Sequence, residues 1–518
     1  MSTAAGISPQ RRELRIAEMT IIAVVTVVLV GVDLMFYFWP FRYREVHPLL
    51  QQVFQSRVDV KSYHRTYFPH PGFVAEDVTF YRHGDTQIPP LATVKKMTVA
   101  GQWLVLIFHP HTLYQIRLEG LHVQIPPPGT KARRMDFDNG VISSSESKLR
   151  IESILADGTA LDFLRHGGAP PLHFEFRALE IHNVQDKHPL EFTARVATSE
   201  PQGTVAATGM LGPFRTSSYG TTPMSGTYSL IDADLQGLEG MWGHAAAGGR
   251  FGGIFSAMDV TGEAQIPDFR VGSGHTVRMD AAYHVTVSGT NGDVEIENAE
   301  VKTGNSTITA SGSVAGSPRK VSVTIETKDS QVEDLLKIVE EAPPQVEGDV
   351  NFRAAVEFGE GPGRFLEKLN LKGDVSLEKM KLVDANKQEK VDAFSARVRK
   401  APAGEGSGSS NVPQITMAAQ TQTRFEHGMA YFPDIHASMP GAEAHLHGTF
   451  NLLDTRIRLT GKVALERSLS DAVTGWKAAL LKPLNPFFRH KDAGAVVAVA
   501  ITGTAKKPKV GQDVLHDQ

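Results

Sequence analysis

Few residue patterns in this chain could do chemistry. Two His-x-His pairs, His109/His111 and His445/His447, would each place both imidazoles on one face of a strand, a spacing that a metal ion can use. No third ligand accompanies either pair, and 20 histidines make chance pairs common, so neither a metal site nor a cofactor is expected. Glu295 and Glu297 share the wet face of a strand, where solvation accounts for them. Asn305-Ser306-Thr307 is a glycosylation sequon that reads equally well as a strand end, and the stretch Gly359-Glu360-Gly361-Pro362-Gly363 reads as a turn. The nucleophile-elbow, P-loop, zinc-protease and dinucleotide-binding patterns are missing. No catalytic residue is expected, and the chain reads as something other than an enzyme.

The elements around these residues say more. Met19 to Trp39 is a 21-residue run with one charge, Asp33. As a helix it would be about 31 Å long, which matches the hydrocarbon core of a bilayer. Tyr37 and Trp39 close it like an interfacial belt, and no Ala-x-Ala cleavage site follows, so an uncleaved anchor is expected rather than a signal peptide. Residues 1–18, with Arg11, Arg12 and Arg15, form a short basic tail expected inside, with the bulk translocated. Asp33 is either a contact for a partner helix or near enough to the outer interface to draw in water. The chain has no cysteine, a net charge of −4 and a pI of about 6.6, so nothing in it suggests a nucleic-acid footprint.

Past residue 45 a period of two takes over. Val350, Phe352, Ala354, Val356 and Phe358 alternate with polar residues, as do Leu369, Leu371, Val375 and Leu377, and Ile457, Leu459, Val463 and Leu465. Such alternation predicts half-buried antiparallel strands with one apolar and one wet face. Gly209, Gly262, Gly312, Gly373, Gly448, Gly461 and Gly503 recur on the apolar face, which predicts that the sheet curves. Helices are expected only at His47–Ser56, at Val332–Glu341 and at Ser468–Leu481. They are too few to cover the apolar faces. Those faces must close on each other as a sandwich or barrel, or line a groove that holds something apolar.

The expected fold is therefore mainly β, a long curved antiparallel sheet with few short helices behind one N-terminal transmembrane helix. It divides into a tail (1–18), a transmembrane helix (19–39), a first β segment (46–128) and a main sheet (150–400). A flexible loop (401–413), a last β segment (414–505) and a polar tail (506–518) follow, and Lys131–Lys148 is a polar, Ser-rich loop.

The order of motifs carries a resemblance. Behind the anchor come Tyr67-Phe68-Pro69-His70-Pro71-Gly72 and Val78-Thr79-Phe80. Next is Leu113-Tyr114-Gln115-Ile116-Arg117-Leu118-Glu119-Gly120-Leu121-His122-Val123. Gly203-Thr204-Val205, Thr208-Gly209-Met210-Leu211-Gly212-Pro213-Phe214 and Ser311-Gly312-Ser313-Val314 follow, and Ile501-Thr502-Gly503-Thr504 stands before Pro508. In this order the chain resembles the AsmA family of Gram-negative envelope proteins, relatives of TamB, from the anchor to about residue 510. The resemblance implies an inner-membrane anchor with the bulk in the periplasm, and a concave apolar face that conducts phospholipid toward the outer membrane. Val350, Phe352, Val356, Leu369, Leu371, Val375, Leu459 and Val463 would then sample the face that acyl chains cover. The expected partners are phospholipids, the inner membrane and other envelope proteins. The alternative is a non-catalytic structural or assembly factor for outer-membrane proteins; an anchored hydrolase would need a convergent site that the residues do not supply.

Overall fold

A strand with one apolar face gains little until neighbours share that face, and in this chain nearly every strand turns back on the one before it. The computed structural model describes residues 26–30 and 41–512, apart from 55–56, 82–89, 104, 106–111, 126–149, 165–170, 185–187, 200, 214–219, 238–239, 317–318, 359–364, 399–414, 467–488, 491–492 and 505–506. Among the described residues, 25 strands form one sheet. Two of these, Met241–Trp242 and Arg489–His490, are short and pair only with the ends of Ala257–Val271 and Ala493–Thr504. The others follow chain order from Val58–Thr66 at one edge to Lys507–Gln512 at the other. At about 4.8 Å per strand the sheet is roughly 100 Å long.

Pairing is antiparallel except at one seam. Thr112–Ile125 and Arg150–Phe163 run parallel, in register from Thr112↔Arg150 to Ile125↔Phe163. The segments at 46–128 and 150–400 are therefore one continuous sheet. The segment at 506–518 is not all tail, because Lys507–Gln512 pairs with the preceding strand as the last edge. Lys507, Pro508 and Lys509 suit that position, since charge and a missing N–H are tolerated where no further strand follows.

The longer helices gather on one rim, and the single turn Phe365–Lys368 lies on the other. Tyr43–Phe54 precedes the first strand and contains residues 47–54 of the helix expected at His47–Ser56, starting four residues earlier. Val332–Val339 matches the helix expected at Val332–Glu341. Ala385–Val398 was not expected from the sequence; it follows Leu369–Leu382, whose end lies beside the start of Val346–Phe358. The opposite rim turns tightly, as between Val287 and Val294 or Glu426 and Met429.

Three clusters bury side chains against the sheet. The first joins Phe41 and Val46 to Val58, Phe73, Ala75, Val78 and their neighbours. The second packs Val398 against Ala442, Leu465 and Val497. Its helix is pinned by Ser395, whose hydroxyl donates to the Pro440 carbonyl, and by Gln388, whose amide donates to the Ile415 carbonyl at 2.8 Å. The third holds Ala233, Leu235 and Ala245. Val332–Val339 is tied to the Thr303–Ser306 turn by the Asp334 carboxylate, which accepts from the Asn305 N–H at 2.7 Å.

Of Met19–Trp39, residues 26–30 are described. They are helical, and Val27, Val28, Leu29 and Val30 are more than half exposed. No described helix is long and apolar enough to cross a membrane. Asp33, His109/His111, the Gly359–Gly363 turn, the loops at Lys131–Lys148 and 401–413, and the helix at Ser468–Leu481 lie outside the described residues.

Candidate functional site

Residues directly opposite in an antiparallel or parallel ladder point to the same face, so register shows which side chains share it. One row of opposed residues crosses the sheet from Gly72–Phe80 to Ala493–Thr504. It starts at Phe73 and passes through Val99, Ile116, Ile154, Ile181, Phe192 and Gly209. It continues through Gly226, Phe251, Val260, Val285, Ile296 and Gly312. It ends through Val323, Val356, Leu371, Phe425, Ala430, Phe450, Ile457 and Gly503. No member is polar. Rows beside it are less pure and hold Thr327, Thr421 and Thr423.

The structure places all eight lining residues expected from the sequence on this face. Val356 and Leu371 belong to the row and oppose each other. Val350 opposes Leu377, Phe352 opposes Val375, and Leu369 opposes Phe358. Leu459 lies between Gly448 and Ile501, and Val463 between Ala444 and Val497. Most of these side chains are half-buried, and Val350 and Val356 are buried. Val463 packs against the cluster under Ala385–Val398.

Contacts between distant strands show that the face bends inward. Phe192 and Phe251 stand three ladder steps apart, about 14 Å on a flat sheet. Their ring centroids are nevertheless 6.4 Å apart. Phe163 and Phe255 stack at 6.2 Å although the sheet places four strands between theirs. The glycines make this possible. Gly209 opposes Gly226 beneath the Phe192–Phe251 pair, and a Cβ on either would collide with the backbone of the facing strand. Gly312 and Gly448 combine φ of +141° and +149° with the same close approach, so only glycine fits there.

The opposite face is polar and paired in water. Arg353 meets Glu326 at 2.9 Å, and His284 lies 3.2 Å from Asp259 and 3.3 Å from Glu297. An open hollow of about 950 Å³ on this face is lined by Glu326, Arg353, Asp374 and His436, and Glu326 and Arg353 pair with each other across it. His445 stacks on His436 at 4.7 Å while His447 meets the Thr460 hydroxyl at 3.2 Å, so the two do not converge on one point. Among the described residues no group of three or more His, Asp or Glu is arranged to hold a metal ion. The tightest titratable cluster is Asp162, which accepts from His122 Nε2 at 2.6 Å and His173 Nδ1 at 2.5 Å. Burial pushes its carboxyl up, but the two histidines outweigh that and hold it below its ordinary value.

No protein-family profile matches the chain, and no curated protein matches it either. The site must be read from its geometry. What sequence reasoning missed is the unbroken row itself and the aromatic pairs that lean over paired glycines. The recurring glycines were the available signal; register, which the sequence does not state, was the missing half.

Proposed function

We propose that this chain binds phospholipid by its acyl chains and conducts it along the apolar face of the sheet. The observation that carries the reading is the uninterrupted apolar row, half-buried over most of its length and left without a covering layer among the described residues. Monomeric proteins seldom leave so long an apolar surface without an occupant. An acyl chain laid along the row gains about 0.8 kcal/mol per buried CH₂, while its head group stays in water at the rim. Successive positions resemble each other, so a chain can shift from one strand to the next without leaving a deep trap.

The same proposal places the sheet in the periplasm and anchors it at the inner membrane through Met19–Trp39, in the manner of the AsmA family. The first residue of the row, Phe73, lies 6.1 Å ring to ring from Phe41, just beyond the hydrophobic run. Lipid leaving the bilayer would meet the row there. The second reading, an assembly factor for outer-membrane proteins, would use the free sheet edges. Lys507, Pro508 and Lys509 discourage strand addition at one of those edges, which favours the lipid reading.

Mass spectrometry of the full-length protein after detergent exchange tests this. Bound phospholipid is expected at one or more molecules per chain. A preparation that is folded and lipid-free after exposure to phospholipid vesicles would sink the reading.

A further inference from the structure

A second aromatic pair crosses the apolar face one row away from Phe192 and Phe251. Tyr228 opposes Gly249, Gly249 opposes Gly262, and Gly262 opposes Tyr283. The two tyrosines begin three ladder steps apart, yet their hydroxyls meet at 2.5 Å above the two glycines. A Cβ on Gly262 would run into both hydroxyls. The rings therefore occupy the space that the glycine floor leaves open. Burial raises the Tyr228 phenol above its ordinary value.

The geometry has two unusual parts. First, a polar hydroxyl pair stands over a face whose adjoining row is wholly apolar. Second, the floor beneath it is glycine, where Phe251 and Val260 stand in the next row on the same strands. A wall meant only for packing would gain from side chains at those positions. A glycine floor instead leaves a channel whenever the rings move aside. The rotation needed is at χ1 and χ2 of two half-buried tyrosines.

We propose that Tyr228 and Tyr283 form a gate across the lipid path: hydrogen-bonded, they block an acyl chain, and parted, they let it lie on the Gly249–Gly262 floor. This rests on the lipid reading above. The Phe192–Phe251 pair, offset by two strands, forms an apolar bar with no latch. On closing, one hydroxyl donates to the other, which offsets part of the cost of taking the two out of water. Opening frees both hydroxyls to bind the ester carbonyls of a passing phospholipid.

The test uses the full-length protein incubated with vesicles of phosphatidylethanolamine and phosphatidylglycerol that contain a phospholipid with a diazirine on its acyl chain. After irradiation and digestion, label is counted on peptides carrying Ile116 and Ile154, before the gate, and Val323 and Val356, beyond it. In the double variant Tyr228→Phe/Tyr283→Phe the rings remain and the latch is gone. The ratio of far to near label is expected to rise about fivefold, the equivalent of about 1 kcal/mol for one hydrogen bond. Tyr228→Ala, which also removes a ring, should raise it further, and the double phenylalanine variant guards against a folding failure in the alanine one. A ratio within twofold of the native protein in the double variant, with label on both sides, overturns the gate and leaves the lipid reading standing. No label on either side in the native protein overturns the lipid reading itself.

Discussion

Val356 and Leu371 oppose each other in the apolar row, across the pair Val346–Phe358 and Leu369–Leu382. Val356 is buried and Leu371 half-buried, while Glu357 and Lys372 beside them project to water from the other face. A single strand thus offers a lining position and a matched control one residue away. Leu371→Lys is expected to lower bound phospholipid at least about fivefold, since a charge on the path opposes apolar contact. Lys372→Glu should leave it unchanged. Both variants are compared by lipid mass spectrometry at equal melting temperature, and equal loss in the two would count against the face as the binding surface.

Phe41 is 7% exposed and packs on Phe73 within the first cluster, and its carbonyl accepts from the Tyr63 hydroxyl at 2.7 Å. Removing its ring leaves a cavity next to the start of the row. Phe41→Ala should cost about 3 kcal/mol in urea unfolding of that end of the sheet. A change under about 1 kcal/mol would mean that this segment is not docked in solution.

The glycines differ sharply in what replacement would do. Gly448→Ala drives a methyl into the Arg458 carbonyl at positive φ and should cost about 2 kcal/mol or more. Gly252 has open space at its Cβ and no positive φ, so Gly252→Ala should be neutral or stabilising by about 0.5 kcal/mol. Thermal melts of the two variants decide it, and similar losses in both would refute the packing argument.

Asp162 has a folded-state pKa below its ordinary 3.8, because His173 and His122 donate to its charged form against the cost of burial. A depressed carboxyl pKa stabilises the fold above the unfolded value and loses that contribution as pH falls through the folded value. Asp162→Asn should therefore lower stability by about 2 kcal/mol at pH 7, with the gap to the native protein closing below pH 3.8. Melting curves that keep the gap open in acid would show that the loss is steric.

The strands and their lining residues were legible because alternation of period two is local and survives without knowledge of neighbours. Val350, Leu371 and Leu459 could be assigned to one face on that ground alone. Ala385–Val398 was not legible, since its sequence ANKQEKVDAFSARV has few apolar residues and docks largely through Ser395, Gln388 and Val398. The parallel seam at Thr112–Ile125 and Arg150–Phe163 was hidden by the polar stretch between its strands, which reads as a boundary. Tyr228 and Tyr283 are 55 residues apart, and only the register of the strands joining them brings their hydroxyls together.

Most strands bond only to those before and after them in the chain. Such a sheet behaves as a ruler whose length can be changed by whole hairpins. Excising Val277–Thr303, two strands and their turn, would bring Ala257–Val271 beside Ser306–Gly316, both still in their original directions. Val260 would then face Gly312, apolar against apolar, and the molecule would be shorter by about 10 Å. Reach along the sheet is thus set by counting hairpins, independently of the chemistry of any one of them.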